Sequence, residues 1–407
     1  MPQGRRFATA APFWQHTPRM IVGVPSETFP GERRVALTPH VLPALSQRSK
    51  VQVLLESGAG EPAGFSDADY RDKGAEIAAN RADVFERADI VVQVRGFGVN
   101  SERGREDLPR LRPELTVIGL QDPLGAVGAA KEQADSGATI FGLELIPRIT
   151  RAQSMDVLSS QASIAGYKAV ILAAEALPKI FPMMMTAAGT IAPARVFVIG
   201  AAVAGLQAIA TARRLGAVVH AYDIRAAARE ALEGLGASFV ELPIETAHAQ
   251  GSGGYATAQD ERFLKRQREL MQSVIAESDV VITTAAIPGR PAPKLVTQEM
   301  VEAMAAGSLV VDVAAERGGN CVLTRPGETV QHGGVRIYGP IDLPSSVPFH
   351  ASQMFAKNIA TFLAQIVKDG TLAIDLDDEV VRETLVARGG EVVHPRLLEA
   401  LAAESAA

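Results

Sequence analysis

One cysteine in 407 residues, Cys321, leaves no material for an internal disulfide framework or a cysteine-built zinc cluster, and fits a reducing compartment. No metal is expected. Lysine and arginine (40) do not outnumber aspartate and glutamate (46), so the formal charge of −6 gives no basic footprint for nucleic acid. Long apolar runs are missing too. The most apolar stretch, Met183 to Ala212, is broken by Gly189, Pro193 and Arg195, so it supplies no uninterrupted run to cross a bilayer. Residues 1–19 lack the continuous apolar core of a secretion signal and read as a flexible extension outside the fold. No internal repeat or low-complexity tract stands out. What remains is an ordinary soluble composition, long enough for two or three domains.

The most informative segment runs from Arg195 to Asp223. It reads as a buried strand (Arg-Val-Phe-Val-Ile), a small-residue turn, a helix, and a second strand ending in a carboxylate. That is the plan of a dinucleotide-binding βαβ unit. A pyrophosphate fits at the helix start, where unpaired N–H groups and the positive end of the helix dipole converge. Asp223, about 18 residues past Gly205, is placed to accept hydrogen bonds from an adenosine ribose and to repel a 2′-phosphate. The fingerprint departs from G-x-G-x-x-G at its middle position, where Gly200 and Gly205 flank Ala202. A methyl group there is expected to push the phosphates outward and weaken binding.

Elsewhere, short apolar strands alternate with helical stretches: Ile21 to Val24, Val51 to Glu56, Ile90 to Val94, Thr116 to Leu120 and Thr139 to Leu143. A helix is expected from Ile164 to Leu177, leading into the nucleotide unit. Further strands are expected at Val280 to Thr284, Leu309 to Val313 and Val335 to Tyr338. His350 to Lys368 carries Met354, Phe355, Ile359, Phe362, Leu363, Ile366 and Val367 on one helical face, expected to return to the first domain. The fold is therefore α/β, with two Rossmann-like doubly wound domains separated by a cleft. The expected bounds are 20–155 with 348–400, and 156–347.

Three further constellations stand out. Pro147 to Ser160, at the domain junction, gathers Arg148, Arg151, Gln153, Asp156 and Ser159. An aspartate there can hold an arginine and leave amide and hydroxyl groups to orient a carboxamide, or the segment is a linker with a helix cap at Ser154 or Asp156. Gly251 to Ala258 reads as a connection or a lid. Gly318-Gly-Asn-Cys321, at a strand end, faces a ligand or fills a gap in the core.

Several of these motifs together resemble the NAD(H)-binding alpha subunit, domain I, of proton-translocating NAD(P) transhydrogenase, a relative of alanine dehydrogenase. The marks are Pro147-Arg-Ile-Thr-Arg-Ala-Gln-Ser-Met-Asp, Ser163-Ile-Ala-Gly-Tyr-Lys-Ala, Met183-Met-Met-Thr-Ala-Ala-Gly-Thr, Val203-Ala-Gly-Leu-Gln-Ala-Ile-Ala, Gly253-Gly-Tyr-Ala, Ile282-Thr-Thr-Ala-Ala-Ile-Pro-Gly-Arg-Pro-Ala-Pro and Gly318-Gly-Asn-Cys. The resemblance spans Met20 to about Pro395. It implies nicotinamide-site roles for Arg148, Gln153, Asp156 and Ser159. It implies NAD(H) contacts from Gly200, Ala202, Val203, Ala204, Gly205, Asp223, Ile224, Arg225, Thr284, Ala285 and Ala286, with Tyr255 on a mobile loop over the nucleotide. It further implies hydride transfer to NADP(H) on a partner beta subunit, coupled to proton translocation by membrane-embedded subunits. The alpha subunit would be a cytoplasmic homodimer, peripheral on the inner membrane and without a span of its own. Two other readings remain. An alanine dehydrogenase needs a lysine and a histidine, where this chain has Arg95 and Gln121-Asp122, and arginine does not transfer protons at ordinary pH. A catalytically silent NAD-binding paralogue would tolerate Ala202 and Ser346.

Overall fold

The computed structural model describes residues 20–225, 227–241, 261–286 and 289–406. Residues 1–19 and the loop Gly251 to Ala258, including Tyr255, lie outside them.

Two sheets organise the chain. The first strands are β1 (Ile21–Val24), β2 (Gln52–Glu56), β3 (Glu76–Ala78), β4 (Ile90–Arg95), β5 (Thr116–Leu120) and β6 (Thr139–Gly142). An exposed hairpin, β7 (Met184–Thr186) and β8 (Gly189–Ile191), precedes β9 (Arg195–Ile199), β10 (Val218–Tyr222), β11 (Ser238–Phe239), β12 (Val280–Thr283), β13 (Leu309–Asp312), β14 (Thr329–His332) and β15 (Val335–Tyr338). A two-stranded ribbon, β16 (Val367–Lys368) and β17 (Thr371–Leu372), and the pair β18 (Leu385–Arg388) and β19 (Glu391–Val392) complete the set.

The eight-stranded sheet runs β19-β18-β6-β5-β4-β1-β2-β3 and the seven-stranded sheet β11-β10-β9-β12-β13-β15-β14. Strands β1 to β6 pair in parallel, as do β9 to β13 and β15, while β14, β18 and β19 join antiparallel at the edges. Central strands such as Val280–Thr283 and Leu309–Asp312 are buried throughout, which is why they read as unbroken β-branched runs rather than alternating patterns. Each sheet changes direction of growth once, between β1 and β4 and between β9 and β12. Ligand crevices open beyond the carboxyl ends of strands at such points.

The junction helix starts earlier than its apolar periodicity suggests, at Val157 rather than Ile164, and runs to Ala176. The reason is Asp156, whose side chain caps the helix by accepting from the Ser159 N–H at 2.9 Å. This helix is long and apolar enough to cross a membrane by length and composition. Here it is a core helix: Gln161 accepts from Arg34 Nη1 at 2.9 Å and donates to the Ala351 carbonyl at 3.1 Å. The return helix, Pro348–Ile366, buries Phe355, Ile359, Phe362 and Leu363 in the same apolar cluster as Val22, Val24, Ile90 and Val92 of the first sheet. The chain thus comes back to where it began, and β18 adds to β6.

Candidate functional site

The turn after β9 is built from glycine at two places where nothing else fits. Gly200 has φ of +99°, and a Cβ there would lie 2.7 Å from Thr284 Oγ1. A Cβ on Gly205 would lie 1.8 Å from the Gly200 carbonyl oxygen, so that glycine lets the helix Val203–Arg214 sit down on the turn. Ala202 caps this helix with φ −77° and ψ −172°, an ordinary extended conformation, and the residue is exposed. The substitution therefore causes no backbone strain, and any handicap must come from the methyl meeting a ligand. Val203 and buried Ala204 open the helix and place its first N–H groups at the turn.

A residue absent from the sequence reading closes the packing behind this turn. A Cβ on Gly166 of the junction helix would lie 2.1 Å from the Ala204 carbonyl oxygen. Two helix backbones touch there. Ser159, seven residues upstream on the same helix, is about 10 Å away along its axis at 1.5 Å per residue.

Asp223, beyond β10, is 7% exposed and its oxygens are already engaged. Oδ2 accepts from Ala201 N–H at 2.6 Å and Arg225 Nη2 at 3.0 Å; Oδ1 accepts from Arg225 N–H at 2.8 Å and Arg225 Nε at 2.9 Å. Ile224 lies between them, half-buried. Past β12, the Thr284 hydroxyl donates to the Gly200 carbonyl at 3.1 Å. Ala285 is held on both sides by buried Asn320, whose Oδ1 accepts from its N–H at 3.0 Å and whose Nδ2 donates to its carbonyl at 2.8 Å. Ala286 is exposed. The Gly318-Gly-Asn-Cys segment thus serves the strand end as a brace. Cys321 is fully buried, its N–H donates to Asp312, and burial pushes its thiol up to about 11. It is a core residue.

At the junction, the aspartate that grips an arginine is not Asp156. Arg151 makes a two-bonded pair with Asp378, 2.9 Å for each bond, and the Arg151 guanidinium holds that carboxyl down at about 2. Asp156 caps the junction helix, as one sequence reading allowed, and also accepts from the Ser159 hydroxyl at 2.6 Å. Arg148 and Gln153 are exposed on the short segment leading to that cap.

At the first sheet's switch point sits a cluster that sequence reasoning missed. Glu32 accepts from Arg34 Nε at 2.8 Å and Nη2 at 2.6 Å and from Arg95 Nε at 2.9 Å, with both arginines buried. Burial pushes Glu32 up, but the two guanidinium groups more than offset this and hold it at about 2. Glu27 accepts from the Val94 and Arg95 N–H groups at 2.6 and 3.0 Å. Burial, with Glu32 nearby, raises it to about 7. Glu144 likewise receives the N–H groups of Gln121 and Asp122 and is raised by burial to about 7. Only the spacing Glu32-x-Arg34 hints at this in sequence, because its other members come from distant segments.

Two pairs cross from this sheet to the other. Arg95 Nη1 donates to Glu316 at 2.6 Å and Nη2 to the Ile341 carbonyl at 3.1 Å. Arg317 donates twice to Asp122, at 2.8 and 2.6 Å.

The family model "Alanine dehydrogenase/PNT, N-terminal domain" matches residues 23–165, and "Alanine dehydrogenase/PNT, C-terminal domain" matches residues 169–395. The chain is 44% identical over 381 residues to the first portion of the NAD(P) transhydrogenase alpha subunit of Rhodospirillum rubrum, a separate chain there, covering 93% of this chain and 99% of that one. Its fold superposes on a transhydrogenase from Sinorhizobium meliloti with a TM-score of 0.79 at 43% identity, covering 92% of this chain and 99% of that one. An L-alanine dehydrogenase superposes with a TM-score of 0.77 at 25% identity, covering 94% and 99%. With both halves matched and the transhydrogenase relatives well above the dehydrogenase in identity, the chain belongs to the alanine dehydrogenase/PNT family, among the NAD(P) transhydrogenase alpha subunits.

Proposed function

We propose that the chain binds NAD(H) and passes hydride between it and NADP(H) held by a partner beta subunit, in a complex whose membrane-embedded subunits couple the transfer to proton movement. The observation that carries this reading is the turn after β9. Gly200 and Gly205 leave room only for backbone, a helix starts there, and a buried acid stands beyond the next strand. These residues fit a dinucleotide: first-turn N–H groups for the pyrophosphate, Asp223 for the ribose, and Thr284 to Ala286 along the far wall.

In this reading the chain's residues position rather than react. Bound NADH supplies the hydride. Arg148, Gln153, Asp156 and Ser159 orient the carboxamide, with Ser159 fixed by its bond to Asp156. Residues 20–155 with 348–400 form one domain and 156–347 the other. The exposed Met183, Met184, Met185 and Ile191 around the β7–β8 hairpin support a homodimer, since an apolar projection of this kind is costly in water. A peripheral place on the cytoplasmic face of the inner membrane follows from the proposed partners.

The test is reconstitution with a matched NADP(H)-binding subunit. Hydride should pass from NADH to NADP+ in the mixture, and the chain alone should form no alanine from pyruvate, ammonia and NADH. Alanine formation would hand the case to the dehydrogenase reading; a silent mixture would favour the paralogue. In the active mixture, Gln153→Asn should slow transfer by on the order of 100-fold with NADH binding little changed, because a small misplacement of reacting groups is costly.

A further inference from the structure

A carboxylate offers about four lone-pair directions, and at Asp223 four donors fill them. Two are main-chain N–H groups, of Ala201 and Arg225, fixed by the loops that carry them. The other two are Nε and Nη2 of the Arg225 side chain, which is 17% exposed against 6% for the Asp223 side chain. A ribose hydroxyl can be accepted by Asp223 only when a donor leaves, and the guanidinium is the one on a flexible stem. Once displaced, it stays beside the carboxylate, at the position where a 2′-phosphate would come. Arginine matches a phosphate's geometry with two parallel bonds.

We propose that Arg225 is the specificity-determining residue of the dinucleotide site: it holds Asp223 until a ribose hydroxyl replaces it, and the displaced guanidinium softens the site's rejection of a 2′-phosphate. The inference rests on the NAD(H) reading above and goes beyond it. Asp223 alone would set a wide gap between NADH and NADPH; the Asp223–Arg225 pair sets a narrow one.

The experiment is titration of NADH and NADPH, by nucleotide fluorescence, into the full-length wild type, Arg225→Gln, Asp223→Asn and the double variant. Arg225→Gln should leave NADH binding as tight or tighter, because its competitor for Asp223 is gone, and weaken NADPH, widening the ratio about tenfold, or 1.4 kcal/mol. Asp223→Asn should improve NADPH binding, and the double variant should lose that gain. An unchanged ratio in Arg225→Gln, equal weakening of both nucleotides, or a gain that survives in the double variant would each overturn the proposal. Should Asp223→Asn fail to fold, the ratio in Arg225→Gln decides alone. A wild type that binds no NADH would sink the proposed function and this inference together, whereas NADH binding with an unmoved ratio sinks only the inference.

Discussion

Gly166→Ala sets two effects of known sign against each other. In the middle of a helix, alanine is preferred to glycine by about 1 kcal/mol, so helix propensity predicts a more stable protein. Sterics predict the reverse. The new Cβ would stand 2.1 Å from the Ala204 carbonyl oxygen and 2.9 Å from its carbon, both backbone atoms that no rotamer change can move aside. Ordinary contact would require the two helices to part by roughly 1 Å. They cannot do so freely, because Ala169, Val170 and Ala173 of one helix and Ala208 and Ala212 of the other are fully buried in one cluster. Overpacking of this kind costs about 1–3 kcal/mol, so the net expectation is a loss of about 1–2 kcal/mol and a melting temperature lower by several degrees. Nucleotide affinity should fall as well, since Ala204 lies in the first turn of the helix whose N–H groups would meet the pyrophosphate. Calorimetric melting and NADH titration measure the two effects separately. A variant that melts higher and binds NADH normally would refute both the close contact and its link to the site.

Ala202→Gly should lower the melting temperature, because φ of −77° suits alanine and glycine adds about 0.5–1 kcal/mol of unfolded-state entropy. NADH should bind tighter by roughly 1 kcal/mol if the exposed methyl stands in the ligand's way, and level or weaker binding would show that phosphates are held clear of it. For pH, Glu27 and Glu144 are raised from 4.5 to about 7, so the folded state holds more protons than the unfolded one across that window and stability falls as pH rises through it. At about 1.4 kcal/mol per unit, each accounts for no more than about 3 kcal/mol. Glu32, held at about 2, acts oppositely, contributing stability above 4.5 that is lost as pH falls toward 2. The melting temperature should therefore peak near pH 5, and Glu144→Gln should flatten the decline above it; stability that rises from pH 5 to 7.5 would contradict the assignment.

Local chemistry was readable from sequence, and long-range chemistry was not. The β9 turn declares itself because glycine, alanine and aspartate stand at fixed offsets within one βαβ unit, and the structure puts Gly200, Gly205 and Asp223 together. The apolar face from Met354 to Ile366 was legible for the same reason. The start of the junction helix was missed by seven residues because capping, not periodicity, sets it: Ser159 and Ser160 look like linker until Asp156 is seen to cap them. Gly166 was read only as part of a motif, since its value depends on Ala204, 38 positions away and on another helix. Arg151 gave no sign of its partner Asp378, which follows the whole second sheet in the chain. The strands β18 and β19 were invisible for a related reason, being short edge additions without a parallel-strand signature.

The two pairs that cross between the sheets bear on which chemistry the cleft can host. Glu316 and Arg317 are neighbours on one short turn, Ala315–Arg317, with opposite charges, and each meets its complement at a different strand end: Glu316 with Arg95 at β4, Arg317 with Asp122 past β5. Exchanging the two would place like charges together at both contacts, so the turn can seat in one register only. Arg95 is thereby committed. Its Nε serves Glu32, its Nη1 Glu316, its Nη2 the Ile341 carbonyl, and its guanidinium carbon lies 4.3 Å from the Phe29 ring centroid. A 2-oxo acid seeking this arginine would have to compete with two carboxylates already bound to it, one of them fully buried. An arginine so placed joins domains; it does not shuttle protons. The small-acid chemistry expected of a dehydrogenase is thus closed off at the first sheet's switch point. The second sheet's switch point keeps the features a dinucleotide requires, which leaves hydride exchange with another nucleotide as the reaction this cleft can support.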